Sequence, residues 1–407
     1  MTKNKQKHLM ISISITVFFL LFPLFFFYQS LIGLNIIPPV LGGYFGIVSL
    51  ISFPFLLISF KHLNKNSRKL KSPINTVFFL ILVIIIFIAI INYLLGKPEV
   101  LTKDLFLWST SGALFTLICY LLATTLPINS RKFKMLIIIS LISMVLIVLY
   151  NIGDQGIFYL KTQAENPEFV VTYQGFARSL IVVGLLAISV VRSQKLVFVL
   201  FLFTLTALFF NGARTEFALF IISFISLQVY IHTSSLKKFA LVISIMILLG
   251  VFLSIGFNNV ISSLPDNRVM QLLDIQSSSS GQARTEATFH ATETIIENPW
   301  LGSYGSYANM ENIGNYSHNL LSAWVNLGLI GFCLYVYAIL ATMVGIIINF
   351  FKNTKKITEE RVVFVFSVFT ILALILSKDY SYMLFGFMIG FYSIYNNKLK
   401  HSTNEST

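Results

Sequence analysis

Uncharged apolar runs recur along this chain, and no other feature constrains its fold as much. A bilayer core takes about 20 apolar residues per helix, with about 17 to 25 tolerated. Twelve runs fit that description, at roughly 9–28, 41–60, 74–95, 105–126, 135–150, 175–191, 196–210, 217–231, 239–256, 320–351, 362–377 and 383–396. The tenth is too long for one crossing and is expected to hold a short interfacial helix before the true span. The seventh, eighth and twelfth are short, so their boundaries are soft. Open sheets leave unpaired backbone groups in lipid, so each span is read as a helix despite the many Val, Ile and Phe residues. The expected fold class is an all-α polytopic membrane protein of about twelve transmembrane helices.

The first run follows Lys3, Lys5 and Lys7, as the core of a signal peptide would. It is too long for one, carries Pro23 and lacks a small-residue cleavage site, so an uncleaved first helix is expected. Of the 407 residues, 56% are hydrophobic and 11% charged, with a mean hydropathy of +0.81. Soluble domains carry about 25% charged residues, which excludes that class. Cys119 and Cys333 both lie inside apolar runs, so neither a disulfide scaffold nor a cysteine metal site is available.

The net charge of +13 would suggest a nucleic-acid partner in a soluble protein. Here its placement suggests topology. With the N-terminus in the cytoplasm, segments 1–8, 61–73, 127–134, 192–195, 232–238, 352–361 and the tail from Asn397 lie inside. They hold 21 of the 29 basic residues and three of the 16 acidic ones, Glu359, Glu360 and Glu405. The outside holds Lys97, Lys103, Lys161, Arg178, Arg214, Arg268, Arg284 and Lys378 with the other acidic residues. That bias follows the positive-inside rule on every loop and puts both termini in the cytoplasm. The chain then divides into spans one to nine over 1–256, a large outer loop at 257–318, and spans ten to twelve with a cytoplasmic tail over 319–407.

Loops longer than about 15 residues are usually functional, which singles out 151–174 and 257–318. The larger begins with the polar run Ser277–Ser280 and Gly281, continues as a helix-like stretch from Ala283 to Glu297, and closes with a Gly/Tyr/Asn-rich segment from Pro299 to Ser317. No repeat of 20–50 residues is present.

On an acidic outer face, arginines stand out. Arg214 lies in Asn211-Gly212-Ala213-Arg214-Thr215-Glu216, a tight turn between two short spans. A charge at that depth needs a partner or a ligand. It either snorkels to lipid phosphate or pairs with Glu216, or it serves a ligand. The string Ala-Arg-Thr-Glu returns at 283–286, where Arg284 either pairs with a loop carboxylate or binds an anion. Each arginine is expected to open a helix, and helix N-termini favour anions. Two guanidiniums with two helix N-termini suit a diphosphate, because Arg binds phosphate oxygens bidentately and keeps its charge.

His318, in Tyr316-Ser317-His318-Asn319, sits where the large loop re-enters the membrane. It is either a polar interface residue or a general base able to take a hydroxyl proton near neutral pH. His290, four residues after Glu286, reads as a helix-face pair. No Asp-x-Asp, His-Glu-x-x-His, Gly-x-x-x-x-Gly-Lys or nucleophile-elbow string occurs, so no metal site or cofactor is expected.

The chain resembles the family of O-antigen polymerases and O-antigen ligases, which handle undecaprenyl-diphosphate-linked glycans. Asn211-Gly212-Ala213-Arg214-Thr215 resembles the family's small-small-Arg turn. Arg284 followed by Glu297-Asn298-Pro299-Trp300-Leu301-Gly302-Ser303-Tyr304-Gly305 is similar to its loop arginine and Asn-Pro-x-x-Gly-x-Gly segment, here one residue longer between the last glycines. Ser317-His318-Asn319 with Gly328-Leu329-Ile330-Gly331 resembles its His-Asn…Gly-x-x-Gly signature. Arg178 matches loosely a basic position before the sixth span.

The resemblance implies a GT-C-like, metal-independent membrane glycosyltransferase in the bacterial inner membrane, acting in lipopolysaccharide biosynthesis. Arg214, Arg284 and Arg178 would bind the departing diphosphate, His318 would deprotonate the acceptor hydroxyl, and Asn319 would orient His318 or bond the glycan. Trp300, Tyr304, Tyr307 and Tyr316 either stack on sugars or form the interfacial aromatic belt. Implied partners are undecaprenyl-diphosphate-linked glycans, membrane lipids and a chain-length regulator. Ligases in the family often carry a second histidine where Tyr316 stands, which favours the polymerase; the ligase, with a lipid A core acceptor, is the alternative. A flippase for the same lipid-linked oligosaccharide is the reading from a different class. Transporters place ionisable groups near the midplane, whereas these candidates gather at one face.

Overall fold

A computed structural model describes residues 3–34, 36–38, 43–64, 72–97, 101–152, 158, 173–232, 279–307, 317–352 and 357–404. The helices are α1 (Lys3–Phe19), α2 (Phe25–Gly33), α3 (Tyr44–Leu63), α4 (Pro73–Leu94), α5 (Thr102–Thr125), α6 (Arg131–Tyr150), α7 (Tyr173–Val190), α8 (Gln194–Phe210), α9 (Arg214–His232), α10 (Ser279–Glu297), α11 (Leu321–Lys352), α12 (Thr358–Leu376) and α13 (Leu384–Asn404). Among the described residues the only extended pairing is an isolated bridge between Ile152 and Phe158.

Among the described residues, seven helices are long and apolar enough to cross a membrane: the continuous stretch Lys5–Gly33, α3, α4, α5, α6, α9 and Leu321–Asn349. The chain therefore has the form expected of an all-helical polytopic membrane protein. Of the remaining expected spans, the sixth and seventh are the shorter apolar helices Gln174–Val190 and Gln194–Phe210. The eleventh and twelfth are present as α12 and α13. They are less apolar over a full span because α12 opens on Thr358-Glu359-Glu360-Arg361 and α13 runs on to Lys398, Lys400 and Asn404. The ninth, 239–256, lies outside the described residues, as do most of 151–174 and parts of 257–318.

α7 explains why a short run can still be a sound helix. From Phe176 to Val191 nearly every side chain is buried, and α2, α6, α8, α9 and α12 all pack around it. A helix apolar on every side belongs in an interior, and one enclosed by protein has no need to match the lipid thickness. It also carries Arg178 at its first turns into the centre of the bundle.

Helix bends follow from particular residues. Pro23 cannot donate a backbone hydrogen bond, and a π-helical turn, Leu20–Leu24, joins α1 to α2 there. The Tyr44 hydroxyl donates to the Leu20 carbonyl at 3.1 Å, which ties the start of α3 to this turn. In α11 the break is at Gly328, with φ 67° and ψ −175°. It separates a short opening helix from a long one, as the length of the tenth apolar run predicts. α5 and α13 pack closely, with Gly386 and Gly390 lying against the backbone of Thr116 and Tyr120.

The contacts sort the loops to two ends of the bundle. At one end Ser59 bonds Met10, Asn129 donates to Glu359, Arg361 donates to the Val191 carbonyl, and Tyr230 and Tyr395 both donate to Glu360. At the other, residues 101–112, the starts of α7, α9 and α11, residues 298–307 and 377–383 come together. This is the same division that the basic and acidic loops make in the sequence.

Candidate functional site

At the second end, a cavity of about 280 Å³ opens between α5, α7, α9 and the 377–383 connection. Trp108, Ser111, Gly112 and Phe115 form the α5 wall, Gln174 and Arg178 the α7 wall, and Glu216 comes from the first turn of α9. Lys378, Asp379, Ser381 and Tyr382 close it.

Each charged side chain has a structural reason for its position. Arg178 is half-buried, and its guanidinium lies 4.9 Å from the ring centre of Phe45 and 6.0 Å from that of Phe25. Such cation–π contacts steady a charge without neutralising it. Lys378 Nζ donates to Glu216 Oε1 at 2.6 Å, with side chains only 23% and 12% exposed. Arg178 and, more weakly than Lys378, Arg284 from α10 also act on Glu216 electrostatically, although Arg284 does not line the cavity. Asp379 Oδ2 accepts a hydrogen bond from the Ser381 backbone N–H at 3.0 Å. Burial pushes the Asp379 carboxyl above its ordinary value, opposed by the Ser381 bonds and the Lys378 charge.

The frame around the cavity is rigidly linked. The Tyr380 N–H donates to Ser322 Oγ at 3.0 Å, and the Tyr335 hydroxyl donates to the Tyr380 carbonyl at 2.9 Å. Ser109, beside Trp108, shares hydrogen bonds with the hydroxyls of Tyr304 and Tyr380. Tyr304 also donates to the Leu105 carbonyl at 3.0 Å. The two glycine-containing segments singled out in the sequence interlock: Ser303 N–H donates to the Val325 carbonyl at 2.7 Å and Leu329 N–H to the Trp300 carbonyl at 3.1 Å. Trp324 Nε1 donates to the Pro299 carbonyl, and Gly305 N–H to Asn326 Oδ1. Gly302 and Gly328 face one another here with positive φ, and a Cβ on either would strike the opposing backbone.

Of the residues expected from sequence, Arg178 lines the cavity, whereas Arg284 does not line it and, contrary to expectation, lies inside α10 rather than opening it, because that helix already starts at Ser279. Arg214 opens α9 two residues before Glu216 and is half-buried, without lining the cavity. His318 is half-buried on the turn before α11 and does not line it either. Asn319 has a different immediate task. Its Oδ1 accepts from the Leu321 N–H at 2.9 Å and from the Ser317 hydroxyl at 2.8 Å, so it caps the opening turn of α11. Tyr304 is committed to α5, and Trp300 is 73% exposed. Tyr316 lies outside the described residues.

Sequence reasoning missed Lys378 and Asp379, and took Glu216 only as a partner for Arg214. The signal was present: a Lys-Asp pair in a connection of seven residues between two apolar helices must sit at the membrane edge. What was missing was the convergence of α9 on that connection. Among the described residues, no group of three His, Cys, Asp or Glu side chains is gathered as a metal site. No protein-family model matches the chain, and no curated protein matches it.

Proposed function

We propose that this chain is a membrane glycosyltransferase that polymerises undecaprenyl-diphosphate-linked repeat units on the outer face of the bacterial inner membrane. It then has twelve spans, a GT-C-like arrangement and cytoplasmic termini. The observation that carries the reading is the cavity at one end of the bundle, with Arg178 and Lys378 on its wall from two separate segments and Arg284 acting on the Glu216 carboxylate from a third. The charge bias of the loops makes that end the outer one.

In this reading, the acceptor sugar hydroxyl attacks the anomeric carbon of the donor. The new glycosidic bond forms as the carbon–oxygen bond to the diphosphate breaks, and undecaprenyl diphosphate leaves with the electron pair. Arg178, Arg284 and Lys378 oppose the negative charge that builds on it, Arg214 flanks them from the same helix turn as Glu216, and His318 takes the hydroxyl proton. Preoriented cations in a partly dry cavity stabilise such a charge far better than water does. Trp108 gives the cavity an apolar wall suited to a sugar face. Asn319, as the cap of α11, would hold the His318 turn in place and so act as a positioning residue.

The test is purified protein in vesicles with synthetic lipid-linked repeat units. Wild type should yield a ladder of elongated glycans. Arg178→Ala and Arg284→Ala should each lower the rate about 10²-fold or more, and His318→Ala about 10²- to 10⁴-fold. A folded wild-type protein that makes no glycosidic product overturns the enzyme reading, and movement of single repeats across the bilayer without elongation points to the flippase. Transfer of finished chains to a lipid A core, without elongation, points to the ligase.

A further inference from the structure

We propose that Glu216 is a placeholder for the substrate's anion: its carboxylate holds the cavity's lysine while the diphosphate is absent and gives that lysine up when a diphosphate binds. This rests on the reading of the cavity as a diphosphate site.

Three observations support the exchange. First, the Lys378–Glu216 pair lies on the cavity wall rather than behind it, and both residues line the open space together with Arg178 and Asp379. A ligand oxygen entering there meets Lys378 with its ammonium already engaged at 2.6 Å. Second, the charges are unbalanced. Lys378 from the 377–383 connection, Arg178 from α7 and Arg284 from α10 all act on this one carboxylate. Asp379, the other acid on the wall, accepts a hydrogen bond from the Ser381 backbone N–H. Three cations against the two carboxylates Glu216 and Asp379 leave a net positive charge, and a diphosphate supplies the missing negative charge.

Third, Glu216 keeps a source of stabilisation when Lys378 turns away. It is the third residue of α9, where the helix N-terminus stabilises a carboxylate even without a counter-ion. Lysine is the right partner for such an exchange. Its ammonium is a compact point charge on a flexible four-carbon stem, so it can turn from one oxygen acceptor to another without the fixed fork that binds arginine to a single geometry. A carboxylate oxygen and a phosphate oxygen offer it the same kind of acceptor. The pair thus keeps Lys378 charged, ordered and aimed at the cavity between turnovers, and Glu216 competes with the ligand for it. Glu216 is in this sense a positioning residue: it acts on the substrate through Lys378.

The experiment is calorimetric titration of the full-length protein in detergent with inorganic diphosphate. Coupling between two ligands of one site is typically about 5- to 150-fold, so Glu216→Gln should bind diphosphate about tenfold more tightly than wild type. Glu216→Asp, whose shorter side chain slackens the contact with Lys378, should bind about threefold more tightly. Lys378→Gln should bind more weakly, and Glu216→Gln should no longer tighten binding when Lys378→Gln is also present. A merely structural ion pair predicts equal or weaker binding in every Glu216 variant. A Glu216→Gln protein that melts as wild type does and binds diphosphate no more tightly overturns the proposal. Should that variant fail to fold, Glu216→Asp decides it by the same criterion. Elongation assays separate the two readings. Wild type that elongates glycans, with no gain of diphosphate affinity in the variants, removes the placeholder and leaves the proposed function. A gain of affinity in a protein that never elongates glycans retains the placeholder and removes the substrate assignment.

Discussion

Replacing Gly328 by alanine should be among the most damaging single-methyl changes in the protein. Its φ of 67° and ψ of −175° lie in a region open almost only to glycine, where another residue costs about 1–3 kcal/mol. The added Cβ would also run into the Trp300 carbonyl oxygen and the Leu301 carbonyl group. Relief requires the 300–303 segment to back away from α11, which breaks Leu329 N–H to Trp300 O and Ser303 N–H to Val325 O. Each such bond is worth about 0.5–1.5 kcal/mol net. Strain and the two lost bonds together give about 2–6 kcal/mol. Gly43 is the control: it also has a positive φ, 72°, but an added Cβ there has no neighbour within 4 Å. Gly43→Ala should cost only the left-handed strain, about 1 kcal/mol. The assay is reversible unfolding of both variants and wild type in mixed micelles with increasing denaturing detergent, read by tryptophan fluorescence. Trp300 and Trp324 flank the interlock. If Gly328→Ala is no more destabilising than Gly43→Ala, the interlock does not carry the energy assigned to it here.

Gly386→Ala should destabilise by about 1–3 kcal/mol, because the new methyl meets the Thr116 carbonyl where α13 touches α5; the same denaturation assay measures it, and a Thr116→Ser change should not restore stability since the obstruction is backbone. Asn319→Ala removes a helix cap and should cost about 1 kcal/mol, with Asn319→Asp retaining most of it; equal losses in both would mean the cap is not what Asn319 contributes. Asp379 provides a pH signature. Its carboxyl in the folded protein sits above the unfolded value, so its contribution is fully present below the unfolded value, near pH 4, and fades as pH rises through the higher folded value. Asp379→Asn should therefore show a shallower fall in melting temperature than wild type over that interval, and parallel curves for the two proteins would contradict this.

How far the site could be read from the chain depended on how local its causes were. A break in the tenth apolar run followed from its length, and the helix from Ala283 to Glu297 from local pattern, although in the structure it starts earlier, at Ser279. Arg178 was legible only as a basic residue near an outer helix end. Its importance came from α7 being enclosed by five neighbours, a fact about packing. Lys378 and Glu216 are 162 positions apart, and no spacing rule relates residues at that separation. Asn319 shows the converse: it drew attention as a motif residue, and its carbonyl oxygen proved to be used two residues away.

The sequence by itself determined that this chain is helical, that its helices are of membrane length, and that its loops fall into a basic set and an acidic set. Those properties depend on hydropathy and charge summed over segments, and lipid forces the rest by leaving no other way to satisfy the backbone. Only the tertiary structure decided which charges share a cavity. Convergence of α5, α7, α9 and the 377–383 connection is set by shape, by glycines that let backbones approach and by tyrosine hydroxyls that tie one segment to the next. The local sequence carries no record of those distances.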